Sequence, residues 1–135
     1  MKVLNTLLIV FLFTLTANAQ EFKFESELIN YGEIEMGSNG KRVFEFTNTG
    51  KAPLFIKNIR SSCGCTVPEK PKEPIMPGKK GKITVSYDTN KLGGFSKQIT
   101  IYSNVKANNG IKIVRIKGNV VKKGSLEKEK SMLSN

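Results

Sequence analysis

From Phe22 onward, apolar and polar residues alternate with a period near two. Phe22 and Phe24 flank Lys23, and Phe44 and Phe46 sit among Val43, Glu45 and Thr47. Leu54, Ile56 and Ile59 form a further short run. Ile83, Val85 and Tyr87 alternate with Lys82, Thr84 and Ser86, and Ile99 and Ile101 alternate with Thr100 and Tyr102. Such alternation sends one set of side chains into a core and the other into water, the signature of half-buried strands. The last run opens on Ile111 and Ile113 and closes on Ile116, Gly118 and Val120. Its phase slips by one between Ile113 and Ile116, which predicts a β-bulge near Val114-Arg115.

The separators have turn chemistry. They are Gly37-Ser38-Asn39-Gly40, Asn48-Thr49-Gly50-Lys51, Pro77-Gly78-Lys79, Leu92-Gly93-Gly94 and Asn108-Asn109-Gly110. Gly and Asn tolerate positive φ, and Pro presets the first turn position. Six or seven short strands at this spacing predict an all-β fold, a single immunoglobulin-like antiparallel β-sandwich of about seven strands over residues 20–121. Four of the five prolines fall between Pro68 and Pro77. Each removes a ladder donor, so this stretch is expected along an edge or as an extended crossover between sheets. Residues 122–135 turn to Lys, Glu and Ser and are expected to form a charged, flexible tail, with a short helix from Ser125 to Leu133 as the alternative.

Residues 1–19 read as a secretory signal peptide. Lys2 supplies the positive start, an apolar run follows, and Ala17-Asn18-Ala19 is a cleavage box, so the mature chain is expected to begin at Gln20. The apolar run is shorter than the roughly 20 residues a bilayer requires. The expected address is therefore periplasmic or secreted, with no membrane span. Cleavage removes Lys2 and takes the formal charge from +11 to +10. An exported basic protein has little occasion to meet nucleic acid, and the lysines are spread along the chain. They read as a solvated surface, with anionic envelope polymers or another envelope protein as the expected partner.

The inventory narrows the chemistry further. The 135 residues hold no His, no Trp, two Cys and, in Asp88, a single Asp. Ser-His and Cys-His nucleophilic sites and His-ligated metals are excluded by composition. Catalytic residues, cofactors and metal sites are accordingly not expected. Glu33, Glu35 and Glu69 with Lys70 could be assembled into a hydrolytic set only on paper, because charged turn residues are mostly plain surface.

The remaining chemical feature is Cys63-Gly64-Cys65. In an exported protein, two thiols this close can pair as a disulfide. Residues i and i+2 of an extended strand lie about 6.6 Å apart, so closing the bond requires a bend, which Gly64 would permit. Four readings stand. The pair is a structural clamp or two small core residues, a thiol–disulfide active pair aided by Lys57 or Arg60, a Cu(I) site with Met76 as thioether partner, or a point of covalent linkage. Cys63 and Cys65 are thus the candidate redox or disulfide pair, and Ser61, Ser62, Gly64 and Thr66 the candidate interaction loop.

Longer strings carry a resemblance. They are Phe44-Glu45-Phe46-Thr47-Asn48-Thr49-Gly50, Ser61-Ser62-Cys63-Gly64-Cys65-Thr66-Val67-Pro68, Pro77-Gly78 before Ile83-Thr84-Val85-Ser86-Tyr87-Asp88, Gly94-Phe95-Ser96-Lys97, and Ile116-Lys117-Gly118-Asn119-Val120. Over about residues 22–121 the chain closely resembles the exported bacterial family called domain of unknown function 1573, the Cys-Gly-Cys-Thr box being its most specific part. Tyr31-Gly32-Glu33-Ile34 followed by Gly37 is similar to the opening of the wider group that includes major sperm protein and hydin-type domains. The resemblance implies a seven- or eight-stranded sandwich used for protein interaction, a Bacteroidetes-like source and a periplasmic address. It carries no catalytic residue over. The expected function is a non-catalytic binding module, with thiol–disulfide or Cu(I) handling through Cys63 and Cys65 as the alternative.

Overall fold

The computed structural model describes residues 21–134. The expected leader at residues 1–19 lies outside the described residues. Eight strands run in chain order: β1 (Phe22–Phe24), β2 (Leu28–Glu35), β3 (Lys41–Asn48), β4 (Ile56–Ser61), β5 (Thr66–Glu69), β6 (Lys80–Tyr87), β7 (Gly93–Ser103) and β8 (Ile111–Val121). They form two four-stranded sheets, ordered β1-β3-β6-β5 and β2-β8-β7-β4. The expected sandwich is present, with one strand more than the seven expected. Its pairings are antiparallel except β2 against β8, which run parallel.

The inward residues are those the alternation selects. Phe44, Phe46, Ile83 and Val85 of the first sheet meet Ile99, Ile101, Val114 and Ile116 of the second, all at 1% exposure or less. Burying each such side chain is worth about 1.5–3 kcal/mol, and the two inner faces together make the core. Phe22, Phe24, Phe44 and Phe46 pack at tilted and edge-to-face angles at one end. At the other end Tyr87 stacks on Phe95 with ring centroids 3.7 Å apart, and Tyr31 meets Phe95 edge-on at 5.3 Å. Gly118 lies beneath this cluster. A Cβ there would stand 2.8 Å from both Phe95 Cζ and Tyr31 Cβ, so only glycine lets the rings approach the strand.

One sequence expectation is corrected. No bulge interrupts β8: its pairing with β7 runs in unbroken register from Tyr102↔Ile111 to Gly93↔Val120. Ile111 and Ile113 simply face outward, 38% and 45% exposed, while Val114, Ile116 and Val120 face the core. The irregularity belongs to β2, whose register against β8 shifts between Asn30 and Glu33. Gly32 supplies the positive φ of 65° there, and the kink shifts the phase after the inward Ile29 and Tyr31, so that Ile34 and not Glu33 packs on the core. Ser125–Leu133 is an α-helix (α1) with no buried residue, over the bounds the sequence offers as the alternative to a tail without structure. Its first turn is tied down by Gly124 N donating to Glu35 Oε1 at 3.0 Å.

The proline stretch behaves as expected. Pro68 stands in β5, an edge strand, and beyond it the chain returns through an isolated bridge between Ile75 and Leu54. Asn48, 1% exposed, fastens this return. Its Nδ2 donates to Ala52 O and Ile75 O, and its Oδ1 accepts from Gly50 N. The β7–β8 connection turns on Asn108 and Asn109, both with left-handed φ, followed by Gly110 at 75°.

Candidate functional site

The Cys-Gly-Cys segment sits where the chain leaves one sheet for the other. Ser61 ends β4 opposite Ile99 of β7, and Ser62 prolongs that ladder: its N donates to Gln98 O at 2.9 Å and its Oγ accepts from Gln98 N at 3.1 Å. Four residues later Thr66 opens β5 opposite Tyr87 in the other sheet, and Cys65 O accepts from Asp88 N at 2.9 Å. Cys63 and Cys65 are joined as a disulfide with Cα atoms 5.4 Å apart. That is shorter than the roughly 6.6 Å of an extended i, i+2 pair, so the backbone bends as the bond requires. Gly64, however, takes no positive φ, and a Cβ on it would meet nothing within 4 Å. The bend does not depend on glycine.

Side chains around the bridge hold the crossover in shape. The Ser61 hydroxyl lies 2.5 Å from Cys63 O and 2.8 Å from Thr66 O, sharing its proton across the base of the turn. Thr66 is buried, with its Oγ1 3.9 Å from Cys63 Sγ. Cys65 is half-buried and packs on the core, Cys63 is half-buried, and Gly64 and Ser62 face solvent. The six sequence-selected residues, Ser61, Ser62, Cys63, Gly64, Cys65 and Thr66, therefore form one contiguous loop.

Other candidates are not brought to it. Met76 lines an open groove of about 450 Å³ with Pro71, Pro74 and Lys79, and neither cysteine is part of that groove. Lys70 Nζ donates to Lys57 O. Glu33 and Glu35 belong to β2 of one sheet, whereas Glu69 belongs to β5 of the other, so the hydrolytic set expected only on paper is not assembled. Asp88 closes a turn, accepting from Asn90 N and Asn90 Nδ2 at 3.1 Å.

A second feature adjoins the loop and was hidden by the phase slip. The outer face of the β2-β8-β7-β4 sheet carries Tyr102, Ile111 and Ile113 in adjacent rows. Register places Asn58 beside Tyr102 and Ile111, Arg60 beside Thr100 and Ile113, and Gln98 beside Arg115 and Leu28. Leu28, at 42% exposure, completes the apolar strip. Arg60 Cζ stands 6.0 Å from the Tyr102 ring centroid, within cation–π reach. Its position one residue before Ser61 makes loop and face continuous.

The ionisable groups with displaced pKa values lie elsewhere. Tyr31 and Tyr87 are raised, in both cases chiefly by burial, with Arg42 pulling Tyr31 partly back and Asp88 adding to the rise at Tyr87. Tyr31 Oη donates to Gly40 O at 2.8 Å, and Arg42 Cζ lies 4.3 Å over its ring. Lys80 is raised by its hydrogen bond to Glu25 and by the Glu25 charge.

Residues 22–120 match the family described as Protein of unknown function (DUF1573), and the chain belongs to that family. A search of the curated proteins returns no match. Among solved structures, a protein of unknown function from Porphyromonas gingivalis W83 is similar with a TM-score of 0.65 and 18% identity, over 79% of this chain and 50% of that one. The chain thus spans about half the length of that relative. The ASH/PapD-like domain 7 of human CEP192 is similar with a TM-score of 0.64 and 8% identity, over 79% of this chain and 89% of that one. The Vibrio cholerae VesB protease is similar with a TM-score of 0.60 and 14% identity, over 82% of this chain but 35% of the protease. At these identities the likeness is one of fold, an immunoglobulin-like, PapD-like sandwich.

Proposed function

We propose that this DUF1573 family member is an exported, periplasmic binding module that recognises another envelope component without transforming it. The observation that carries the reading is the pairing of a rigid crossover, residues 61–66, with a semi-apolar sheet face directly beside it. A rigid two-sheet scaffold presenting a loop and a face is built for recognition. The chain's sole Asp closes a turn, and Glu33 and Glu35 lie on the other sheet from Glu69, so the one hydrolytic set the sequence offers is not brought together. Export rests on the three-part leader pattern at residues 1–19. Among the described residues no helix is long and apolar enough to cross a membrane.

The test is capture of a partner from envelope extract at low and at physiological salt, alongside amino-terminal sequencing of the mature chain. The reading expects one specific partner and a start at Gln20. A chain that captures nothing at either salt, or that stays in the cytoplasm, contradicts it.

The closed bridge between two half-exposed cysteines favours one second reading, thiol–disulfide exchange. A dithiol would reduce the bridge and leave as its own disulfide, two electrons and two protons passing to Cys63 and Cys65. Equilibration against glutathione tests it: a potential within the range of envelope oxidoreductases supports exchange, and a bridge that resists reduction while the protein stays folded rejects it.

A further inference from the structure

The two outer faces of the sandwich differ in a way that selects a partner. On the β1-β3-β6-β5 sheet the central cations meet carboxylates, Lys80 with Glu25 and Glu45 and Lys82 with Glu45. Lys23 and Lys41 form no ion pair among the described residues, and the exposed Val43 and Val67 stand apart from each other on β3 and β5. Across the β2-β8-β7-β4 sheet, Arg60, Arg115 and Lys117 form no ion pair among the described residues. The strip of Tyr102, Ile111, Ile113 and Leu28 lies among them, with Arg60 on the β4 side and Arg115 and Lys117 further along β8. The nearby carboxylates are already engaged: Glu33, one row beyond Lys117, accepts from Asn119 Nδ2, Glu35 accepts from Gly124 N, and Glu27, just before β2, is paired with Lys112. Apolar side chains flanked by unpartnered cations are an arrangement that water alone does not favour.

We infer that this face docks a protein segment in which acidic residues alternate with apolar ones. The inference deepens the binding reading above and rests on it. Charge complementarity decides the occupant. A second copy laid on this face about a two-fold axis would add three more cations to Arg60, Arg115 and Lys117 while its strip offers no carboxylate to meet them, and gathering like charges is costly. An anionic polymer would satisfy the cations but leave the four-residue apolar strip in water. An acidic, apolar segment satisfies both, its carboxylates on the arginines and its apolar side chains on the strip, with Arg60–Tyr102 as the anchor.

The test uses the isotope-labelled chain titrated with a synthetic peptide alternating Glu with Leu and Phe, with polyglutamate and a Glu-Ser peptide as charge-only probes. Saturable amide shifts centred on Tyr102, Ile113 and Arg115, at least roughly tenfold tighter for the first peptide, are expected. R60E/R115E and, separately, I113S should each weaken that peptide by about tenfold, while K41E on the opposite sheet should not. Equal binding of polyglutamate overturns the apolar half of the inference, in favour of an anionic polymer. Shifts confined to the opposite sheet, indifference to the double variant, or concentration-dependent self-association that I113S abolishes overturn the whole. If envelope capture succeeds but cross-links fall only on residues 61–66, the binding reading stands and this face assignment falls.

Discussion

At the scale of single residues, the crossover owes its shape to a hydroxyl more than to a glycine. Ser61 Oγ serves two carbonyls at once. Ser61→Ala leaves both short of a donor and is expected to cost about 1–3 kcal/mol in urea unfolding. The Cys63–Cys65 bridge closes only a three-residue loop, and loop-closure entropy for so short a ring is about 1.5 kcal/mol. The double Cys→Ala variant should therefore remain folded at room temperature, with a loss in that range. Glycines separate by position: Gly64→Ala meets open space and should be near neutral, whereas Gly118→Ala collides with Phe95 and Tyr31 and should cost about 1–3 kcal/mol. A Gly64 variant as damaging as the Gly118 one would refute this account of the loop. The closeness of Cys63 and Cys65 is legible in the sequence because spacing is local, whereas their pairing stands there as one of several open readings. The role of Ser61 was not, because its acceptors come into range only once the turn has formed.

At the scale of elements, alternation identified the core-facing residues of β1, β3, β6 and β7 because one face of each is buried and the other wet. It misread β8. Ile111 and Ile113 are apolar yet outward, and a periodic reading interprets such residues as a slipped register. It missed β2 as well, since a kink at Gly32 breaks the period. Substitution separates the two interpretations of β8. I113T should change stability by about 0.5 kcal/mol or less, while I116A should cost about 2–5 kcal/mol. Comparable losses would restore the bulge and place Ile113 inside.

Across the whole molecule, Tyr31, Tyr87 and Lys80 make stability depend on pH in alkali. Tyr31 and Tyr87 keep their protons above the ordinary tyrosine value of about 10, and Lys80 keeps its proton above about 10.4. The folded chain holds protons that the unfolded chain releases, so this contribution is complete below those unfolded values and is lost as pH rises through the folded ones. Melting temperature should thus fall as pH passes about 10. Tyr31→Phe should flatten that fall while costing about 1 kcal/mol at neutral pH through the lost bond to Gly40. A chain that melts at the same temperature through this range would contradict the burial of these rings. With 22 Lys+Arg against 11 Asp+Glu, encounter with an acidic partner should also slow as salt rises, because surface charges are screened beyond about 8–10 Å at physiological strength.

The decisive measurement is photo-cross-linking inside the intact envelope, with a benzophenone side chain placed in turn at Ser62, at Tyr102 and at Ser86. Recognition through the crossover and its neighbouring sheet predicts a discrete protein adduct from Ser62 and Tyr102 and none from Ser86. Adducts from Ser86 alone, or none from any of the three, would contradict it.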